Sequence, residues 1–203
     1  MAGIRVSGRG EAAGPPDMLT IATRVSVSRP SVAGAVEDAA SAATRLRQAA
    51  AGAGVATADV FTTGYALEPE YDPDDHRRII GYRAEHSVTV VVRDLDRAGE
   101  VLDAASRSSG DDVRVGGLVF DISDKSGLAA TARRLAWEDA LSRAEQLAGH
   151  AGLTLGPATD IDETVAAAGP PRMAMAAMEM HSPIAAGDQT VTVSITVTFA
   201  VDG

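Results

Sequence analysis

The chain contains neither cysteine nor asparagine. Without cysteine there can be no disulfide, no thiolate nucleophile and no cysteine-ligated zinc, and that absence fits a reducing or an oxidising compartment alike. Aromatic residues make up 3% of the 203 residues, so Val, Ile, Leu and Ala must fill any core. Basic charge is scarce as well. Lys and Arg total 18 against 28 Asp and Glu, a formal net charge of −10, and Lys125 is the one lysine. A general nucleic-acid binder needs a basic face for phosphate, and adhesion to anionic lipid needs the same, so both are disfavoured. No apolar run is long enough to cross a bilayer as a helix. Met1-Ala2-Gly3-Ile4-Arg5-Val6 enters an alternating pattern directly, without the charged start and apolar run of an export signal. As written, the chain reads as a soluble cytoplasmic protein, exported only if a leader has been removed.

What is present is periodicity. Residues 4–9 form a short strand pattern, and residues 10–17, with Pro15-Pro16, read as a break. Leu19, Ile21, Thr23, Val25 and Val27 alternate with small or polar residues, the period of two of a half-buried strand. Pro30-Ser31 opens a helix, because proline suits a first turn. Its stripe is Val32, Val36, Ala39, Ala43, Leu46 and Ala50, stopped by Gly52 and Gly54. Residues 60–68 and 79–92 are two strands of a long hairpin. Asp94 caps a helix in which Leu95, Ala98, Val101, Leu102 and Ala105 share a face. Gly110-Asp111-Asp112 is a turn, and residues 113–123 form the next strand.

The longest helix is expected over residues 126–150. Its face comprises Leu128, Ala132, Leu135, Ala136, Ala140, Ala144, Leu147 and Ala148, widened by Trp137 and Leu141. Residues 153–165 look extended, and residues 166–187 are a Pro-, Ala- and Met-rich segment without period, expected to be a flexible loop. Val191, Val193, Ile195, Val197, Phe199 and Val201 make the last strand. The order β-β-α-β-β-α-β-α-β-β, with hairpins and one-sided alternation, predicts an α+β fold of antiparallel or mixed sheets with helices packed on one face. A single domain over residues 1–203 is expected.

Several segments carry a resemblance. Ile4-x-Val6-x-Gly8-x-Gly10 with Pro16-Asp17, Leu67-x-Pro69-x-Tyr71, Ile80-Gly81-Tyr82-x-Ala84 and Phe120-Asp121-Ile122-Ser123-Asp124 come in that order. Ala136, Asp139-Ala140, Ala144, Leu147-Ala148, Gly152-x-x-Leu155-Gly156 and Pro183-Ile184 with Gly187 follow. In order and spacing, over nearly the whole length, these resemble the SIMPL-domain family, which includes bacterial periplasmic and outer-membrane immunogenic proteins. The resemblance implies an α+β fold and self-assembly among relatives. It implies no agreed enzymatic activity, and links to envelope integrity, oxidative stress or signalling without a shared mechanism. This chain departs from the commonest form by lacking an export signal.

Candidate chemistry is thin. Asp72-Pro73-Asp74-Asp75-His76 holds residue types that bind hard cations, yet Asp and Pro also set a solvated turn, which is the simpler reading. Met173, Met175, Met178, Met180 and His181 form a run of soft ligands suited to Cu(I), and equally an adaptable contact surface. Oxidation of those methionines would make the surface polar. Gly8-x-Gly10-x-x-Ala13 follows a strand as a dinucleotide fingerprint does, but Gly14-Pro15-Pro16 forbids the helix that would hold the pyrophosphate, so it reads as a bend. His86 reads as structural or surface, and His150 as a helix-end cation. Asp160-x-Asp162-Glu163 reads as a polar strand face, since acid–base work needs facing partners. No hydrolase elbow, phosphate loop or zinc-protease motif is present. No catalytic or cofactor-binding residues and no cofactor are assigned. The expected partners are other copies of the chain, as a homo-oligomer, or another protein. The alternatives are a metal- or small-ligand-binding protein using the Met-rich run, and an unrecognised enzyme.

Overall fold

The computed structural model describes residues 3–108, 110–166 and 187–202. Its elements follow as β1 (Gly3–Gly14), β2 (Met18–Arg29), α1 (Val32–Gly52), β3 (Val60–Tyr71), β4 (Ile79–Val92), α2 (Ala98–Arg107), β5 (Val113–Asp121), α3 (Ser126–Ala151), β6 (Thr154–Ala166) and β7 (Gln189–Asp202). This is the expected α+β order, with short 3₁₀ turns added at Thr57–Asp59, Leu95–Arg97 and Gly110–Asp112. Every strand pairing among the described residues is antiparallel. The strands form two separate sheets, ordered β1-β7-β6 and β3-β4-β2-β5, each in its own compact unit.

In the four-stranded unit, β2 is central, and its alternation sorts the sheet. Leu19, Ile21, Val25 and Val27 are buried, as are Val92, Val90, Val88 and Ala84 of β4, which share that face. Thr23 can join them because its hydroxyl donates to the Val88 carbonyl at 2.7 Å. α1 covers this face, burying Ala35, Ala39, Ala42, Ala43, Leu46 and Ala50. The helix begins two residues past the expected proline, at Val32: Ser31 is the N-cap, its hydroxyl accepting from the Gly34 amide at 3.2 Å. Val32, expected on the buried stripe, is exposed, while Ala35 and Ala42 are buried instead. Asp94 caps the 3₁₀ turn that leads into α2, whose Ala98, Val101 and Ala105 join the same core.

In the three-stranded unit, α3 lies on β1 and β7. Its fully buried residues are Ala132, Ala136, Ala140, Ala144 and Ala148, spaced by four. The flanking leucines expected on that stripe do not reach the same depth, and Leu147 is 49% exposed. The reason lies on the strand. A Cβ at Gly8 would sit 2.1 Å from the Ala136 carbonyl oxygen, and one at Gly10 would sit 2.0 Å from that of Ala132. Glycine on the strand and alanine on the helix bring the two backbones together, leaving larger side chains at the rim. Gly8-x-Gly10 is therefore strand interior, not the expected bend: β1 continues to Gly14, and the break begins at Pro15. Gly152 ends α3 in the left-handed region, at φ 68°.

Candidate functional site

The β3–β4 hairpin holds four of the seven aromatic residues: Phe61, Tyr65, Tyr71 and Tyr82. Register explains why three of them are exposed. Past a bulge between Thr62 and Gly64, Tyr65 and Leu67 stand opposite His86 and Ala84, on the sheet face that α1 covers. α1 packs over β4 and β2 and barely reaches β3, so among the described residues no helix lies above this edge strand. Tyr65 is consequently 51% exposed. Leu67, Tyr71, Ile79 and Ile80 are exposed beside it, and Phe61 is exposed opposite Thr89. Tyr65 meets the His86 ring edge-on, with centroids 4.8 Å apart and planes at 82°. Partial burial there lowers the His86 pKa below the ordinary imidazole value. Gly81 and Tyr82 have architectural work: a Cβ at Gly81 would lie 3.1 Å from the Arg29 carbonyl, and Tyr82 packs against the core. Arg83 pairs with Glu70 across the hairpin.

At the tip, the acidic cluster is folded back on its own turn. Asp72 accepts from the Asp74 amide at 2.9 Å and pairs with Arg78; Asp75 accepts from the Arg77 amide at 3.1 Å. The Asp74 amide first, then the Arg78 guanidinium, hold the Asp72 carboxyl below the usual range. These carboxylates close a turn and do not converge on a common point. Among the described residues no group of three or more His, Asp or Glu is placed to hold a metal. Met173, Met175, Met178, Met180 and His181 lie outside the described residues, as does the rest of the expected loop between Ala166 and Gly187.

The other sequence candidates are separated. Asp160 and Asp162 stand opposite Thr198 and Thr196, on one face of β6, whereas Glu163 stands opposite Ile195 on the face toward α3. Glu163 takes two bonds of 2.7 Å from Arg133, which hold its carboxyl below the usual range. His150 lies exposed in the last turn of α3.

One polar cleft was not anticipated. It measures about 190 Å³ and is lined by the loop after α1, the end of β4, Arg97 and Val101. Arg93 donates two bonds to Asp59, at 2.9 and 2.8 Å. Those bonds hold the Asp59 carboxyl low and raise the Arg93 guanidinium. Arg97 lies against Gly54, where φ is 88° and a Cβ would fall 2.0 Å from its guanidinium. Asp59 and Arg93 thus satisfy each other within the cleft, while Arg97 meets Glu100 at 3.2 Å and Asp94 accepts from the Asp96 amide at 3.2 Å. Sequence spacing could not signal it, because Asp59 and Arg93 lie 34 residues apart.

Comparison with known proteins places this architecture. The SIMPL family profile, described as a protein of unknown function (DUF541), matches residues 4–199. A 26 kDa periplasmic immunogenic protein of Brucella melitensis is 32% identical over 213 residues, covering 98% of this chain and 84% of its own. The uncharacterized protein YggE of Escherichia coli K12 is 27% identical over 76% of this chain and 62% of its own. YggE of Edwardsiella ictaluri is 30% identical over 70% and 59%. A solved structure of an unknown protein from Galdieria sulphuraria covers 89% of this chain and 82% of its own, with a TM-score of 0.22 and 10% identity, too weak a likeness to bear on the fold. Matched from residue 4 to residue 199, and with a Brucella relative aligned along 98% of its length, the chain belongs to the SIMPL family.

Proposed function

We propose that this protein acts by association, with copies of itself or with another protein, and not by catalysis. The observation that supports this reading is the exposed hairpin. In a chain with 3% aromatics, Tyr65 and Tyr71 stand out on one edge hairpin with Leu67, Ile79 and Ile80, while Phe61 is exposed on the opposite face of the same strand from Tyr65. Aromatic anchors of this kind carry much of the energy of protein interfaces, and clustered exposed apolar residues mark contact surfaces. The Met173–Met180 run is a second contact surface in this reading, on its sequence alone. The Brucella relative's description as periplasmic and immunogenic supports export and an envelope-related setting. It lends the cytoplasmic expectation no support.

The test is light scattering after size exclusion across micromolar concentrations. Association is expected, weakened when Tyr65, Leu67 and Ile80 are replaced by serine or residues 169–187 are deleted. A strict monomer that captures no partner in cross-linking counts against the reading. The second reading, metal binding by the Met173–His181 run, rests on its soft-ligand composition. Calorimetry with Cu(I) tests it, and binding no tighter than about millimolar removes it.

A further inference from the structure

Among the described residues β1 is an outer strand of its sheet, and it is unusually regular. It pairs with β7 from Gly3 to Gly14 without a register shift. The other outer strands are interrupted. β3 has shifts at Thr62/Gly64 and Glu70/Tyr71 and contains Pro69; β6 has shifts on both sides of Ala158 and contains Pro157; β5 bulges where it faces Ala22/Thr23. Bulges and prolines blunt an edge against pairing with another chain, and a long regular strand without them is a template for it.

The unbound side of β1 is met instead by two side chains of α3. The Arg9 amide donates to Asp139 Oδ2 at 2.9 Å, and Arg143 Nη1 donates to the Ser7 carbonyl at 2.8 Å. Arg143 and Asp139 bind each other at 3.0 Å, one helical turn apart. An acceptor for the Arg9 amide and a donor for the Ser7 carbonyl are what an added strand would supply; in an antiparallel β1 centred on Gly8 they are the Ser7 carbonyl and the Arg9 amide of the second copy. Both side chains are solvent-accessible, at 55% and 32%. They hold this edge without being buried into it. Gly8 and Gly10 place α3 close enough for that reach, since a Cβ at either would meet helix backbone.

We propose that the Asp139–Arg143 pair is a lock that occupies the β1 edge and keeps it from adding a strand. Opened, the edge pairs with β1 of a second copy. Charge favours that occupant: two antiparallel β1 strands centred on Gly8, where the lock sits, bring Arg5 of each, which meets Asp162 at 3.8 Å, opposite Glu11 of the other, which Arg9 of its own strand also holds. The lock goes beyond the association reading, because it operates whether or not the parent chain assembles through its hairpin.

The experiment is amide exchange and light scattering on the full chain, comparing the parent with Asp139→Ala/Arg143→Ala. At concentrations low enough for the variant to be monomeric, loss of a bond to a charged group is expected to speed exchange of the Arg9 amide about tenfold or more. The Val193 and Val197 amides of β7 stay unchanged, and the mass rises with concentration. Asp139→Asn keeps an oxygen for the Arg9 amide and is expected to behave as the parent. An Arg9 amide within about twofold of the parent overturns the proposal. So does faster exchange without a concentration-dependent mass. If the double variant unfolds, Asp139→Ala alone is read by the same two criteria. The parent's own mass tests the association reading separately.

Discussion

Replacing Gly8 by alanine is the most direct test of how α3 is seated. Elsewhere in a strand the change is mildly favourable, because alanine loses less backbone freedom on folding, by about 0.5–1 kcal/mol. At Gly8 the added carbon would meet the Ala136 carbonyl oxygen at 2.1 Å, the Ala140 nitrogen at 2.6 Å and the Ala140 Cβ at 2.8 Å. Two of these are backbone atoms, which no rotamer change can move. The helix must withdraw by roughly 1 Å, loosening the alanine stripe along its length. Overpacking of a tight core costs about 1–3 kcal/mol, and backbone collision belongs at or above the upper end. For a chain of this size, about 3 kcal/mol corresponds to a melting point lower by roughly 6–12 °C. Gly117→Ala in β5 is the control: nothing lies within 4 Å of its added carbon, so it should be neutral or slightly stabilising. Ala136→Gly should not rescue Gly8→Ala, since the nearest obstruction is the Ala136 carbonyl rather than its methyl. Urea unfolding and thermal melts of the variants measure this. If Gly8→Ala lies within about 0.5 kcal/mol of the parent, or matches Gly117→Ala, the close-packing account is wrong.

Helix ends give two further tests: Ser31→Ala should cost about 1 kcal/mol through the lost cap of α1, and Gly152→Ala a similar amount through its left-handed backbone, both read by urea unfolding. Asp59, held low by Arg93, stabilises the fold fully above the unfolded carboxylate range and progressively less as pH falls through its folded value. Asp59→Asn should therefore flatten the acid limb of the stability curve, and an unchanged limb would show that the pair contributes nothing. His86, lowered by burial, favours the folded state in its neutral form, so its contribution is full above the unfolded imidazole value and declines as pH falls below it. Titration of its ring signals by NMR should give a midpoint below that of an exposed histidine, and Tyr65→Ala should raise it.

Local patterns were legible wherever one face of an element is buried. The alternation of β2, β4 and β7 and the Ser31 and Gly152 ends of α1 and α3 could be placed to within a few residues, because those signals are carried by neighbours in the chain. Gly10–Gly14 could not be placed. Glycine and alanine have weak strand preference, so the stretch read as a break; it is held extended by β7, whose Gln189–Val193 pairs with it. The hairpin's motif residues were visible. Their exposure was not, because it depends on α1 sitting over β4 and β2 and stopping short of β3.

By itself the sequence determined the class, the element order, the acidic balance and the family, since each rests on composition, local period or ordered motifs. Tertiary structure alone decided that the strands divide into two sheets, joining Ser7 to Thr196 across almost the whole chain. It also decided that Gly8-x-Gly10 is a helix seat, that Asp59 and Arg93 satisfy each other, and that Asp139 and Arg143 cover a strand edge. Those facts are pairings between distant residues. A period along one strand or helix identifies which side chains seek a partner, but carries nothing about which partner the closed chain brings to them.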